Sequence, residues 1–176
     1  MNPQPRPSSA DLRAQALDPA VLARANINPL TRLATDYLNH YNEVIMLLEM
    51  LESCPEFTED ILGWEPRGYV EYFARSTFKD RELARAAWDF ADPASRSELE
   101  AVIDHMNAIL AATLDALRHD LSPTACAKLG TEASGWLKPL VAKAGSVING
   151  EHIMPATTSD ETGRQAMVDA VFERGA

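Results

Sequence analysis

Three side chains that can bind a metal ion or move protons follow one another at helical spacing near residue 40. Asp36, His40 and Glu43 are separated by four and three residues, so they share one stripe of an α-helix. Carboxylates and an imidazole that converge inside a helical bundle can hold iron, manganese or zinc. Dinuclear carboxylate bundles need such residues on several helices, and here only one helix offers a set. A metal-binding protein or enzyme is therefore the alternative interpretation.

Other catalytic patterns are missing from the sequence. It contains no Gly-x-Ser-x-Gly elbow and no glycine loop that could cradle a phosphate. None of the four histidines has the basic, glycine-rich surroundings that phosphoryl transfer needs. The two cysteines, Cys54 and Cys126, lack Cys-x-x-Cys spacing, and we expect free thiols in a reducing compartment. We therefore expect no cofactor and favour a non-catalytic role.

The negative charge of the chain is concentrated in one segment. The 176 residues include 16 Lys and Arg against 26 Asp and Glu, a formal net charge of −10. Residues 33–66, called the acidic segment below, hold eight of these acids and no Lys or Arg. A field of this sign repels nucleic acid and favours a basic or amphipathic protein partner.

Aromatic side chains accompany the acidic segment. Five of them occur between residues 57 and 73, around a loop that glycine and proline punctuate. Aromatic side chains in a rigid loop bury a large area at low entropic cost, so they are typical interface anchors. We expect a protein-binding surface around residues 43–73. Its predicted contact residues are Phe57, Trp64, Tyr69, Tyr72, Glu56, Glu59 and Asp60. The alternative is that the aromatic residues, Phe73 included, only close one end of the core.

Heptad spacing of apolar residues predicts the helices that position these groups. The first seam is formed by Leu30, Ala34, Tyr37, Tyr41, Val44, Leu48 and Leu51. The seam of the third helix is formed by Leu99, Ile103, Met106, Leu110, Thr113 and Leu117. Asn-Pro, Asp-Pro and Ser-Pro pairs supply helix starts. We predict four principal helices, near 29–52, 69–90, 93–121 and 124–148.

Two of these helices carry interruptions. Ser76 and Asp80 fall in the seam of the second helix, where a buried unpaired carboxylate would cost several kcal/mol. We predict a break near Thr77–Asp80, with Asp80 as the N-cap of a new segment. In the fourth helix, Pro139 predicts a kink. The predicted core face of that helix is Cys126, Leu129, Ala133, Trp136, Leu140 and Val147.

The fold is predicted to be all-α, with an up-down four-helix bundle core, a short helical N-terminal arm and a C-terminal tail helix. Residues 1–10 are expected to be disordered, residues 11–150 form one domain, and residues 151–176 form a polar tail. A short amphipathic helix in the tail presents Met167, Val168, Val171 and Phe172 on one face. The heptads fit one bundle or a homodimer that completes it.

The sequence predicts a protein of the cytoplasm. Its longest apolar run, Val44 to Leu48, falls far short of the roughly 20 residues that a membrane span needs. The first nine residues lack the apolar core of a secretory signal. The leading hypothesis is a regulatory or adaptor protein that acts through protein–protein interaction, without a membrane or nucleic-acid partner.

Overall fold

The computed structural model describes residues 8–119 and 121–151, whose regular secondary structure is all helical, with no strand among them. The prediction of an all-α chain is therefore confirmed. The eight described α-helices are α1 Ser9–Ala16, α2 Pro19–Arg24, α3 Asn39–Met50, α4 Phe57–Leu62, α5 Tyr69–Arg75, α6 Arg81–Trp88, α7 Pro93–Leu117 and α8 Pro123–Ile148. Predictions for residues 1–7 and for the tail helix with Met167 and Phe172 lie outside the described residues.

Polar side chains fix the starts of four helices. Asp18, Asp92 and Ser122 each precede a proline, and each side chain accepts a hydrogen bond from a backbone N–H of the first turn. These three predicted starts are confirmed. Ser8, rather than Ser9, caps α1 and forms a capping box with Asp11, so the short N-terminal helix begins at residue 9.

The first long helix begins ten residues later than predicted, at residue 39 instead of 29. The Asn28 side chain accepts hydrogen bonds from the backbone N–H groups of Leu30 and Thr31, at 2.9 and 3.0 Å. The Asn28 N–H donates to the Leu33 carbonyl, and Arg32 adopts a φ of 59°. Asn28 therefore closes a turn on itself, which asparagine side chains do readily, instead of starting a helix. Leu30 is 53% exposed and lies outside the seam.

The predicted break in the second helix is confirmed. Helices α5 and α6 are separate, and Tyr69 stacks on Trp88 at 4.6 Å, so the chain folds back on itself between them. Asp80 stands at the N-cap position of α6, but its side chain accepts no capping hydrogen bond, so its predicted capping role is wrong. The Ser76 hydroxyl instead accepts the N–H of Phe78 at 3.2 Å and closes the turn.

The buried face of α8 differs from the predicted one. Trp136 was expected in the core and is 57% exposed. The buried positions are Gly130, Ala133, Ser134, Leu137, Ala144, Val147 and Ile148. Helix α8 packs against both α3 and α7, so it needs a wide buried stripe at the natural period of 3.6 instead of a narrow heptad seam. The helix runs on through Pro139, which is exposed.

Helix α8 runs antiparallel to α3 and forms the centre of the core. A Cβ atom added at Gly130, near the start of α8, would meet the Leu48 carbonyl near the end of α3. A Cβ atom added at Gly145, near the end of α8, would lie beside Leu38, just before the start of α3. Lys143 pairs with Glu98 of α7 at 3.5 Å. Helix α1 packs against α6, which places the N-terminal helix on the domain. None of the described helices is long and apolar enough to cross a bilayer.

Thr31 ties the turn before α3 to the end of α8, which gives a first prediction. Its buried hydroxyl donates to the Ile148 carbonyl at 2.6 Å. Thr31→Val keeps the shape but leaves that carbonyl without its donor, so we expect a loss of about 1–3 kcal/mol in the free energy of unfolding. Urea unfolding measures the loss. Thr131→Val, at an exposed position of α8, should change the value by less than about 0.5 kcal/mol. Equal effects of the two changes would contradict the assignment.

Candidate functional site

A continuous cluster of aromatic rings lies between α3, α5, α6 and the segment that joins α4 to α5. Neighbouring ring centroids in this cluster are 4.6 to 5.9 Å apart. Its members are Tyr37, His40, Tyr41, Trp64, Tyr69, Tyr72, Phe73, Phe78 and Trp88. Edge-on and stacked ring pairs of this kind add to the stability that burial alone provides. The cluster is therefore a rigid support for the surface above it.

Three tyrosine hydroxyls of the cluster form hydrogen bonds with polar partners. Tyr37 donates to the Arg67 carbonyl at 2.8 Å, and Tyr41 donates to Asn107 Oδ1 at 3.0 Å. The Tyr69 hydroxyl accepts the N–H of Ala34 at 2.8 Å. Burial is the main cause that raises the pKa of each of these three phenols above its usual range. The hydroxyls therefore stay protonated and act as fixed structural donors or acceptors.

Residues 64–68, called the strap below, cross this cluster between α4 and α5. The Trp64 indole N–H donates to the His40 carbonyl at 3.2 Å. At the other end, the Arg67 carbonyl receives the Tyr37 hydroxyl. One bond joins the strap to the first turn of α3 and the other to the 3-10 turn just before it, Thr35–Leu38, so both ends of the strap are held.

His40 is buried beneath the strap. The residue is only 3% exposed. Its ring stacks on the Trp64 ring, with 4.8 Å between the ring centroids and 23° between the ring planes. Burial, and after it the nearby Arg67 charge, lower the pKa of His40 to about 4, although the Glu65 backbone and the Glu71 charge oppose the shift. The imidazole is therefore neutral at pH 7. Its Nε2 atom has no hydrogen-bond partner.

A cavity of about 380 Å³, called the His40 cavity below, opens between α3, α4 and the strap. It is lined by His40, Glu43, Leu47, Asp60, Gly63, Trp64, Glu65 and Arg67. Three carboxylates from three different segments thus meet one arginine and one neutral histidine. A second cavity of about 370 Å³ lies on the other side of the strap, and Arg67 lines it as well.

The three residues of the alternative metal site are not gathered into one donor set. Asp36 accepts a hydrogen bond from the Asn26 side chain at 3.2 Å and does not line the His40 cavity. His40 and Glu43 both line it. Across residues 8–119 and 121–151, no three His, Cys, Asp or Glu side chains are grouped in a way that could hold a metal ion. Iron, manganese or zinc at this position remains a prediction without further support.

The predicted partner-binding residues divide into two groups. Glu56, Glu59 and Asp60 are exposed. Three of the aromatic residues are half-buried against the core, namely Phe57, Trp64 and Tyr72. Tyr69 is 4% exposed and its hydroxyl accepts the Ala34 N–H, so the structure places this predicted contact residue in the core. The cluster needs this ring inside, where it packs between Tyr37 and Trp88.

Most exposed carboxylates of the acidic segment lack a cationic partner. Within the described part of the chain, Glu49 is the one acid of this segment that forms an ion pair, with Lys138 of α8. Four described acids outside the segment form ion pairs, among them Glu71 with Arg75 at 3.1 Å and Glu98 with Lys143 at 3.5 Å. The remaining exposed acids of the segment are Glu43, Glu52, Glu56, Glu59, Asp60 and Glu65, called the acidic surface below.

Comparisons with known proteins add no relative from which a role could be transferred. No protein-family profile matches the chain, no curated protein matches it, and no solved structure matches it. The functional argument therefore depends on the geometry of the molecule alone.

Proposed function

We propose that this chain is a non-catalytic protein-interaction protein, of regulatory or adaptor type, whose acidic surface docks a basic protein partner. The observation that carries the proposal is the set of six exposed carboxylates on α3, on the α3–α4 connection, on α4 and on the strap that have no ion-pair partner among the described residues. Clustered charges of one sign repel each other, and an approaching basic surface relieves that repulsion.

Complementary charge raises the association rate and the specificity of binding more than it raises the affinity. Apolar contacts beside the carboxylates would supply the rest, and Phe57 and Trp64 are placed for this role. Both are half-buried, so each keeps a part of its ring at the surface while the remainder is packed against the core. Interface anchors behave in this way when a rigid support holds them before the partner arrives. The aromatic cluster and the two strap hydrogen bonds provide that support.

We also propose that the core is an up-down four-helix bundle in which the α5–α6 pair takes the place of the second helix. The antiparallel packing of α3 and α8 and the ion pair between α7 and α8 support this arrangement. The unpaired thiols of Cys54 and Cys126 are consistent with the cytoplasm as the compartment. A homodimer is the alternative use of the same apolar seams, and the mass of the protein in solution distinguishes the two.

The experiment is capture of partners with a tagged full-length chain, followed by affinity measurement with the purified partner. The acid-surface variant carries four changes: Glu52→Gln, Glu56→Gln, Glu59→Gln and Asp60→Asn. We expect it to bind the partner at least about tenfold more weakly, a change of about 1.4 kcal/mol. The reason is that four unpaired carboxylates facing a basic surface are lost together.

A matched control separates position from total charge. The control variant removes four exposed acids elsewhere: Asp89→Asn, Glu100→Gln, Asp115→Asn and Glu151→Gln. Its net charge equals that of the acid-surface variant, and it should bind the partner as the unmodified protein does. Equal weakening in both variants would show a nonspecific charge effect, and no weakening in either would refute the docking role of the acidic surface.

A further inference from the structure

Two buried polar atoms that lack hydrogen-bond partners belong to residues that line the His40 cavity. They are Nε2 of His40 and Nε of Arg67. A buried polar atom without a partner is costly, and folded proteins retain few of them. Two such atoms at one cavity mark a place where a bound molecule would supply the missing partners.

The two atoms need opposite kinds of hydrogen-bond partner, one a donor and the other an acceptor. The His40 ring forms a hydrogen bond with the Glu65 backbone that favours the protonated form, so a ring N–H donates to that carbonyl. Because Nε2 has no partner, the donating atom is Nδ1, and the neutral ring carries its lone pair on Nε2. His40 therefore needs a donor. Arg67 Nε carries a hydrogen at all pH values and therefore needs an acceptor.

The charged side chains around the cavity offer partners of both kinds. Glu43, Asp60 and Glu65 place carboxylates among its walls, where they attract a cation. Arg67 forms no ion pair with any described residue within 4 Å, and its guanidinium suits a carboxylate in the planar geometry that arginine prefers. The cavity thus offers groups that favour an ammonium group and a group that favours a carboxylate.

We propose that the His40 cavity binds a small zwitterion of the free α-amino acid class, with its ammonium group toward His40, Glu43 and Asp60 and its carboxylate toward Arg67. The volume of about 380 Å³ lies at the small end of ligand pockets, which suits a molecule of this size. A metal ion fits less well, because no three donor side chains of the described chain are grouped to hold one.

Binding requires a small movement of the strap. Nε2 of His40 and Nε of Arg67 both lie beneath the surface, and the Trp64 ring covers His40. A shift of that ring would bring the ligand within hydrogen-bond distance of Nε2. The strap would then close over the ligand through the same Trp64 and Tyr37 contacts. This inference goes beyond the proposed docking of a protein partner and does not depend on it.

The test measures thermal unfolding of the full chain with each standard α-amino acid at millimolar concentration. We expect at least one to raise Tm in a concentration-dependent way. Its carboxamide and its N-acetyl derivative, which each lack one charge, should raise Tm far less. Calorimetric titration then gives Kd. His40→Phe, which keeps a ring against Trp64, and Arg67→Met should each weaken Kd at least about tenfold.

Glu100→Gln is the control, because this exposed residue does not line the His40 cavity, and its Kd should be unchanged. The proposal is wrong if no amino acid raises Tm. It is also wrong if His40→Phe and Arg67→Met show the same rise in Tm as the unmodified protein, since an excluded-solute effect would do that. Stabilisation by Zn²⁺ alone that disappears in His40→Phe would replace the zwitterion with a metal. Glu43→Gln offers a third site variant should one of the others fail to fold.

Discussion

Gly130→Ala will lower the free energy of unfolding by about 2–3 kcal/mol, the range of an overpacked core. A Cβ at this position would overlap the carbonyl oxygen of Leu48 and lie 3.1 Å from Leu51 Cδ1. The carbonyl belongs to the backbone of α3 and cannot rotate away, so α3 and α8 must separate. The intrinsic helix preference of alanine offsets only about 1 kcal/mol of this loss.

Gly135→Ala is the matched control for this prediction. It lies on the same helix, with nothing within 4 Å of the added methyl group. Alanine there should raise the free energy of unfolding by about 0.5–1 kcal/mol. Urea unfolding followed by circular dichroism measures both variants. Two shifts in the same direction would mean that α3 and α8 do not touch at Gly130, and the core would need a different arrangement.

The second large effect is a dependence of stability on pH that comes from His40. Its pKa is near 6.5 when exposed and about 4 in the folded protein. Between these values the unfolded chain binds a proton that the folded protein excludes. The stability from His40 is therefore complete above pH 6.5 and falls by about 1.4 kcal/mol per unit as the pH drops toward 4. The total loss is about 3 kcal/mol.

His40→Phe isolates this contribution, because phenylalanine retains a ring beside Trp64 and does not titrate. The difference between the free energies of unfolding of the original protein and of His40→Phe should change by about 3 kcal/mol between pH 7 and pH 4. His105→Gln, at an exposed position of α7, is the matched histidine substitution away from the aromatic cluster. Parallel curves for the original protein and His40→Phe would show that His40 is exposed in solution.

The spacing of apolar residues predicts the buried positions correctly on helices that bury a single narrow face. Tyr37, Tyr41 and Val44 on the first seam are buried, as are Met106 and Leu110 on the seam of α7. The pattern predicted α8 less well, because that helix contacts two neighbours and its buried stripe widens. Trp136 fell on the predicted face and is exposed for this reason. The late start of the first long helix has a local cause. The Asn28 side chain closes a turn through its hydrogen bond with the Leu30 N–H, so Leu30 lies outside the first seam.

The site was less accessible to sequence reasoning than the core. The sequence marks His40 as a possible metal ligand on one helical stripe with Asp36 and Glu43, and it gives no sign that the side chain is buried. Trp64 covers the His40 ring, and its indole N–H donates to the His40 carbonyl, 24 residues away in the sequence. The hydrogen bond from the Tyr37 hydroxyl to the Arg67 carbonyl joins residues 30 positions apart. Contacts at such separations leave no periodic signal. The sequence alone shows the concentration of acids in residues 33–66. That most of these acids lack a cationic partner could be established only from the ion pairs in the structure.

The most direct test of the docking role is the affinity of the captured partner measured against salt concentration, for the original protein and for the acid-surface variant. Exposed charges are screened by salt, so we expect Kd for the original protein to rise steeply with ionic strength. The acid-surface variant should show both a weaker affinity at low salt and a flatter dependence. A Kd that is the same in both proteins and does not change with salt would contradict the proposed function.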